Sequence, residues 1–192
     1  MKPLRVVLAE DEPVTRRDVK EMLAEGKILT VGECGDGATA VELAKSLKPD
    51  LIIMDINMPI MSGIEAAKVL NKEKIAPVML LTAYSQSHLI DEARKAGVLA
   101  YLVKPVNEQN LIPACYIAVT RYEEFSILEA EVNSLTEALD TRKQIEKAKG
   151  ILQKLHNIDE EAAFKKIRSS SMNQRKTMGE VAEAIIIVYG DE

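Results

Sequence analysis

Three acids, Glu10, Asp11 and Glu12, follow one apolar run; Asp55 closes a second, Thr82 a third, and Lys104 stands behind a fourth with Pro105 after it. Carboxylates converging from two strand ends repel one another unless a cation lies between them. Hard oxygen ligands that leave several positions to water suit Mg²⁺. In such a cluster one carboxylate can accept a phosphoryl group while the metal and an ammonium neutralise the charge that develops. That chemistry gives each residue a role. Glu10 and Asp11 hold the metal and Asp55 is the nucleophile, while Thr82 and Lys104 each engage a phosphoryl oxygen. Singly, these residues have plainer uses, an aspartate as a helix cap and a threonine as a strand former. Their joint placement at successive strand ends is what points to chemistry.

A second constellation lies near the other end. Between Thr141 and Lys176 ten cations face four acids, in a chain whose net charge is −5. On a helical projection Ile145, Ala148, Ile151, Leu152 and Leu155 share one side, and Lys143, Lys147, Gly150 and Lys154 form a stripe well away from it. A glycine in mid-helix costs about 1 kcal/mol relative to alanine. On a cationic face its use is to let a phosphate backbone or a base come close.

The elements that must position the first constellation alternate. Strand-like runs at 4–9, 28–34, 51–55, 77–82 and 100–104 are separated by amphipathic stretches at 14–25, 38–47, 63–72 and 87–96. This pattern predicts an α/β fold with a parallel sheet covered by helices on both faces. Ligands of such sheets bind beyond the carboxyl ends of the strands, where the polar residues above are found. A fifth helix is expected from about Glu108, with no Pro or Gly from Ala114 to Lys149. Within it Phe125, Leu128, Val132, Leu135 and Leu139 follow heptad spacing, a seam for a second copy or for packing within the chain.

The segments VVLAEDEP, LIIMDINMPIMSG, LLTAY and YLVKP resemble the receiver domains of two-component response regulators, over residues 3–122. The resemblance implies a flavodoxin-like sheet of order 2-1-3-4-5 and phosphorylation of Asp55 by a partner histidine kinase. It implies Mg²⁺ held also by the backbone carbonyl of Asn57, Tyr101 as a switch aromatic moving with Thr82, and a cis bond at Lys104-Pro105. Glu10 departs from the pattern, where aspartate is more usual.

Farther on, Asp159 is placed to cap a helix at 160–171 with Ala163, Phe164 and Ile167 on its core face. Thr177 and Glu180 make a capping box for a third helix, with Val181, Ile185 and Val188 inward. Residues 121–190 resemble the ANTAR domain, an RNA-binding antitermination module of three helices, through RKQIEKAKGIL, IDEEAAFKKIR and SMNQRKTMGEVAEAII. The resemblance implies binding to paired hairpins in nascent leader transcripts. It implies RNA contacts by Lys147, Lys149, Gly150 and Arg168, with Lys143, Lys154, Lys165, Arg175 and Lys176 in electrostatic support. The two-domain arrangement looks most like regulators of ethanolamine-utilisation operons. The expected organisation is a receiver at 1–122, a coiled-coil-like linker helix at 123–140 and an ANTAR-type domain at 141–192.

The expected function is a phosphorylation-controlled antiterminator, dimeric when phosphorylated and not an enzyme. Two alternatives remain open. One is a DNA-binding helix-turn-helix, disfavoured because polar SSSMNQRK separates the last two helical segments; the other is a protein-interaction output. No apolar run approaches the ~20 residues that span a bilayer, and the N-terminal run is too short for a signal peptide, so a cytoplasmic protein is expected. Cys34 and Cys115 have no metal-ligand spacing and are expected as buried thiols.

Overall fold

The computed structural model describes residues 2–83 and 87–190, with the backbone alone for 87–90; Tyr84 of the LLTAY segment lies outside the described residues. Two compact units meet at 126/127. The first contains β1 (Arg5–Ala9), α1 (Pro13–Glu25), β2 (Leu29–Cys34), α2 (Gly37–Leu47), β3 (Leu51–Asp55), α3 (Gly63–Lys72), β4 (Val78–Thr82), α4 (Ser87–Lys95), β5 (Ala100–Val103) and the start of α5 (Glu108–His156). All strand pairs are parallel, in the order β2-β1-β3-β4-β5.

Strict alternation along the inner strands supplies two cores. Val7, Ala9, Ile52, Met54, Val78 and Leu80 pack with α2 and α3 residues such as Ala40, Ala44, Ile64 and Leu70. Their neighbours Val6, Leu8, Leu51, Ile53, Met79 and Leu81 pack with Val19 and Leu23 of α1 and with Leu111, Cys115 and Ala118 of α5. Both faces of β1, β3 and β4 are therefore dry, as parallel sheets require. Both cysteines are buried and free, as expected. On these inner strands polar residues are tolerated only at the carboxyl ends, where Asp55 and Thr82 fall, with Glu10 and Asp11 just past β1 and Lys104 just past β5.

The second unit comprises the rest of α5, α6 (Glu160–Gln174) and α7 (Met178–Tyr189). Ala148, Leu152, Ala163, Ile167, Val181 and Ala182 are its buried centre, flanked by Ile145, Ile158, Met178, Ile185 and Ile186. Three alanines at the contact points let short helices approach closely. Asp159 caps α6 by accepting from the Ala162 N–H at 2.7 Å, and the Thr177–Glu180 capping box is complete.

Several expectations need correcting here. Phe164 is 38% exposed and Leu155 and Val188 are also outside, because the alanine-rich contacts leave no room for them in so small a core. SSSMNQ is helical, so α6 and α7 are joined by a tight turn with Arg175 in the left-handed region (φ 54°). Its length therefore gives no argument against a helix-turn-helix. The five seam residues Phe125, Leu128, Val132, Leu135 and Leu139 are all exposed. Among the described residues no helix is long and apolar enough to cross a membrane.

Candidate phosphoacceptor and nucleic-acid sites

The receiver-like site is built where β1, β3 and β5 end. Glu10, the first residue after β1, is 1% exposed, and its N–H donates to the Cys34 carbonyl at 3.0 Å. Asp55, the last residue of β3, is 6% exposed, and Asp11 stands in solvent at the rim. One carboxylate oxygen from each of Glu10, Asp11 and Asp55 lies within 4.8 Å of the others. Lys104 reaches between them from the end of β5, donating to Glu10 Oε2 at 2.6 Å and bridging to Asp55 Oδ1 at 2.8 Å. The second oxygen of Asp55 accepts from the Asn57 N–H at 2.7 Å.

Electrostatics follow from this burial. Desolvation pushes the Glu10 carboxyl above its ordinary value, against the opposing pull of Lys104. For Lys104 burial is the largest single influence and acts downward, but the hydrogen bonds and charges of Asp55 and Glu10 together outweigh it and leave the ammonium raised. Thr82 is buried at the end of β4, and its carbonyl accepts from the Lys104 N–H at 2.7 Å. Tyr101 is 46% exposed on β5. The Lys104-Pro105 peptide is cis.

Two supports of this site carry no obvious sequence signal. Arg16 donates to the Glu10 carbonyl at 2.6 Å, fixing the turn that carries the acids. Gly63 opens α3 beneath Asp55, where a Cβ would collide with the Asp55 carbonyl oxygen. The SG pair of the LIIMDINMPIMSG segment was the only available hint of the second.

On the second unit, Lys143 and Lys147 line one cleft of the α5–α7 face, and Lys147, Gly150 and Lys154 line the next. The stripe read from helical spacing is thus continuous. A Cβ at Gly150 would meet nothing within 4 Å. Lys143 pairs with Asp140 at 3.2 Å and Lys165 with Glu161 at 2.8 Å, both in solvent. Among the described residues Lys147, Lys154, Arg168, Arg175 and Lys176 have no ion-pair partner.

Lys149 stands apart from this stripe and from the role expected for it. It is 6% exposed and donates to both oxygens of Glu146 at 2.9 Å and to Glu160 at 2.6 Å. The Glu160 bond, followed by that to Glu146, raises its ammonium. It ties α5 to the first turn of α6 and presents no free charge to a polyanion.

Comparison with known proteins agrees with this two-part geometry. Residues 6–116 match the family model of the response regulator receiver domain, and residues 133–186 match that of the ANTAR domain. Over 188 residues the chain is 50% identical to the transcriptional regulatory protein PdtaR of Mycobacterium tuberculosis, covering 98% of this chain and 92% of that protein. The chemotaxis protein CheY of Thermotoga maritima is 35% identical over 111 residues, 57% of this chain and 92% of that one. Among solved structures, the signal receiver domain of NarL from Mycobacterium tuberculosis superimposes with a TM-score of 0.61 at 29% identity, covering 62% of this chain and 98% of that domain. With a sheet of order 2-1-3-4-5, acids converging at its carboxyl edge and a full-length relative half identical in sequence, the chain belongs to the response regulators that join a receiver domain to an ANTAR domain.

Proposed function

We propose that the chain is a phosphorylation-switched transcription antiterminator acting on hairpin RNA in nascent leader transcripts. Receiver and ANTAR domains together support a response regulator with an RNA-binding output. The single observation that carries the finer reading is the presence in one chain of a buried aspartate held by an ammonium and a lysine stripe, in which Lys143 alone is paired, beside an open glycine.

In this reading a histidine kinase is the phosphoryl donor. An Asp55 oxygen attacks phosphorus, the P–N bond of phosphohistidine breaks, and the imidazole leaves with the electron pair. Both Asp55 oxygens are engaged, by Lys104 and by the Asn57 N–H, so acceptance of the group requires Lys104 to turn from the carboxylate to a phosphoryl oxygen. The donor set of Glu10, Asp11 and Asp55 with the Asn57 carbonyl fits Mg²⁺, whose part is to neutralise the phosphoryl oxygens. Thr82, at the adjacent strand end, takes another of those oxygens, and Tyr101 is the exposed aromatic that follows it inward. The output is dimerisation through the linker at 123–140, whose seam is exposed and apolar. Two cationic faces of the 141–192 module then meet two hairpins, with Lys143, Lys147, Lys154, Lys165, Arg168, Arg175 and Lys176 supplying charge and Gly150 close approach.

A helix-turn-helix on duplex DNA is favoured by one specific observation, the tight α6–α7 turn at Arg175. The test therefore compares a two-hairpin leader RNA with duplex DNA of equal charge over a salt series. Full-length protein is used unmodified, with beryllofluoride and Mg²⁺, and as Asp55→Ala. Tighter RNA binding with beryllofluoride, lost in Asp55→Ala and absent for DNA, is expected. Preference for DNA, or indifference to the nucleic acid, overturns the antiterminator reading.

A further inference from the structure

The receiver is polarised along its strands. Glu10, Asp11, Glu12, Asp36 and Asp55 gather at the carboxyl edge of the sheet, with Lys104 between two of them. The opposite edge, where helices end and strands begin, is basic. Lys2 precedes β1, Lys27 stands between α1 and β2, Lys48 between α2 and β3, and Lys74 between α3 and β4. Lys72 closes α3 and Lys95 closes α4, and all six are exposed. Of the acids there, Glu73 is paired with Lys45 at 2.8 Å and Asp50 accepts from the Arg5 N–H at 2.8 Å; Glu25, at the end of α1, opposes the cations.

Three of these lysines occupy backbone that lysine does not favour. Lys27, Lys48 and Lys74 have φ of 59°, 46° and 50°, in the left-handed region. They close their helices. The Lys27 N–H donates to the Ala24 carbonyl while the Ile28 N–H reaches back to Leu23, and Lys74 and Ile75 repeat the pattern on Asn71 and Leu70. In α4 the same two bonds run from Gly97 and Val98 to Arg94 and Ala93, and there the left-handed residue (φ 75°) is the customary glycine. A helix end attracts cations, but that attraction does not require the strained position. In α3 and α4 Lys72, Arg94 and Lys95 already supply charge within the last helical turn. At the end of α2 the Leu47 and Lys48 carbonyls are taken by the Arg5 guanidinium at 2.9 and 3.0 Å. Among the described residues Lys27 and Lys48 make no ion pair.

Positive charge is thus held on this edge against backbone preference and beyond what the helix ends use. Resting on the RNA-binding reading above, we infer that the amino edge of the receiver sheet is a second polyanion contact, at which Lys27, Lys48 and Lys74 meet phosphates of the RNA. The starts of β2 and β4 are three strand spacings apart, about 14 Å. Ammonium groups spread over that distance can follow several phosphates of one backbone. The acidic carboxyl edge repels the same backbone and stays open to the phosphoryl donor. Contacts of this kind are indifferent to base sequence and add affinity to whatever the C-terminal unit selects.

The test uses full-length protein and a two-hairpin leader RNA over a salt series. In the triple variant Lys27→Gly, Lys48→Gly, Lys74→Gly, glycine takes up the left-handed conformation freely, so the unfolding temperature should not fall. A charge-matched control, Arg17→Gln, Lys20→Gln, Lys68→Gln, removes three exposed cations from α1 and α3 away from the edge. The glycine variant should bind about tenfold more weakly at low salt, and its salt slope should fall by about 0.9 for each lysine that meets a phosphate. The control should stay near wild type. Wild type is also treated with a lysine-acylating reagent, with and without RNA, and read by mass spectrometry. RNA should protect Lys27 and Lys48 and leave Lys20 and Lys68 reactive. If the glycine variant keeps the wild-type slope and Lys27 and Lys48 react equally with and without RNA, RNA binding stands and the receiver edge takes no part in it. Equal losses in the two triple variants would mean that net charge acts at a distance, which overturns the contact. If wild type binds no RNA at all, the edge contact falls with the RNA reading.

Discussion

Lys104 holds the buried Glu10 carboxylate at 2.6 Å across 94 residues of sequence, and the same ammonium reaches Asp55 at 2.8 Å. One positive charge thus balances two carboxylates that have little water around them. Lys104→Ala leaves both without that partner and should destabilise the receiver by about 2 kcal/mol, below the figure for a fully enclosed pair because Lys104 retains 20% exposure. Mg²⁺ can restore the lost charge. Millimolar Mg²⁺ should therefore raise the unfolding temperature of Lys104→Ala more than that of wild type. Equal shifts would mean that the acids do not share a cation site.

Gly63 makes a sharper demand. The Gly63 N–H donates to the Ile56 carbonyl at 2.9 Å, and a methyl group there would strike the Asp55 carbonyl oxygen. That oxygen belongs to backbone and cannot rotate away. Gly63→Ala should cost about 1–3 kcal/mol and slow labelling of Asp55 by a small phosphoryl donor. Urea unfolding with wild-type stability would show that α3 shifts to make room.

Much of this arrangement was legible because parallel strands buried on both faces leave a strong signature: apolar runs such as LIIMD that end in a polar residue. The Thr177–Glu180 capping box was equally plain, since both partners lie within one turn. Lys149 was not. Its pairing with Glu160 depends on how α6 packs against α5, which periodicity along α5 cannot supply. Phe164 misled for a related reason: apolar spacing identifies a face, but alanine contacts set how wide the buried strip is. The helical course of SSSMNQ was hidden by its low-propensity residues, and Arg175 replaces the glycine that usually marks such a stop.

Lys147 and Lys149 should accordingly separate by experiment. Lys147→Ala removes an exposed charge and should leave stability within about 0.5 kcal/mol. It should also reduce the salt slope of RNA binding by about one. Lys149→Ala should behave in reverse, lowering stability by removing the tie between α5 and α6, an effect kept modest because its carboxylate partners remain largely in water. Its salt slope should be unchanged. Equal slopes for both variants would return Lys149 to the RNA-binding face.

Asp36 gives the pH dependence a defined sign. It caps α2 by accepting from the Thr39 N–H and hydroxyl, both at 2.8 Å, and these bonds hold its carboxyl below the ordinary aspartate value. A depressed folded-state value contributes stability above the unfolded value, about pH 4, that is lost as pH falls through the folded one. Asp36→Asn keeps a capping side chain but not the charge. The stability gap between wild type and Asp36→Asn, measured by denaturant unfolding from neutral pH downward, should close as the carboxyl protonates. A gap constant with pH would mean that charge contributes nothing at this cap.

The linker seam presents the plainest unsatisfied surface. Leu128, Val132, Leu135 and Leu139 are each more than half exposed on a helix whose other faces carry Glu123, Glu124, Glu129, Glu131 and Glu137. Two such helices gain by joining their apolar stripes, but the seam is only about two heptads long and the glutamates oppose association. An additional contribution from the phosphorylated receiver is then needed to tip the balance. Sedimentation should show beryllofluoride and Mg²⁺ converting wild type from monomer to dimer. Leu135→Glu, which places a charge in the seam, should remain monomeric with Asp55 still labelled, and its avidity for a two-hairpin RNA should fall toward that for a single hairpin. A dimer that survives Leu135→Glu would locate the interface in the receiver alone and leave the linker as a spacer.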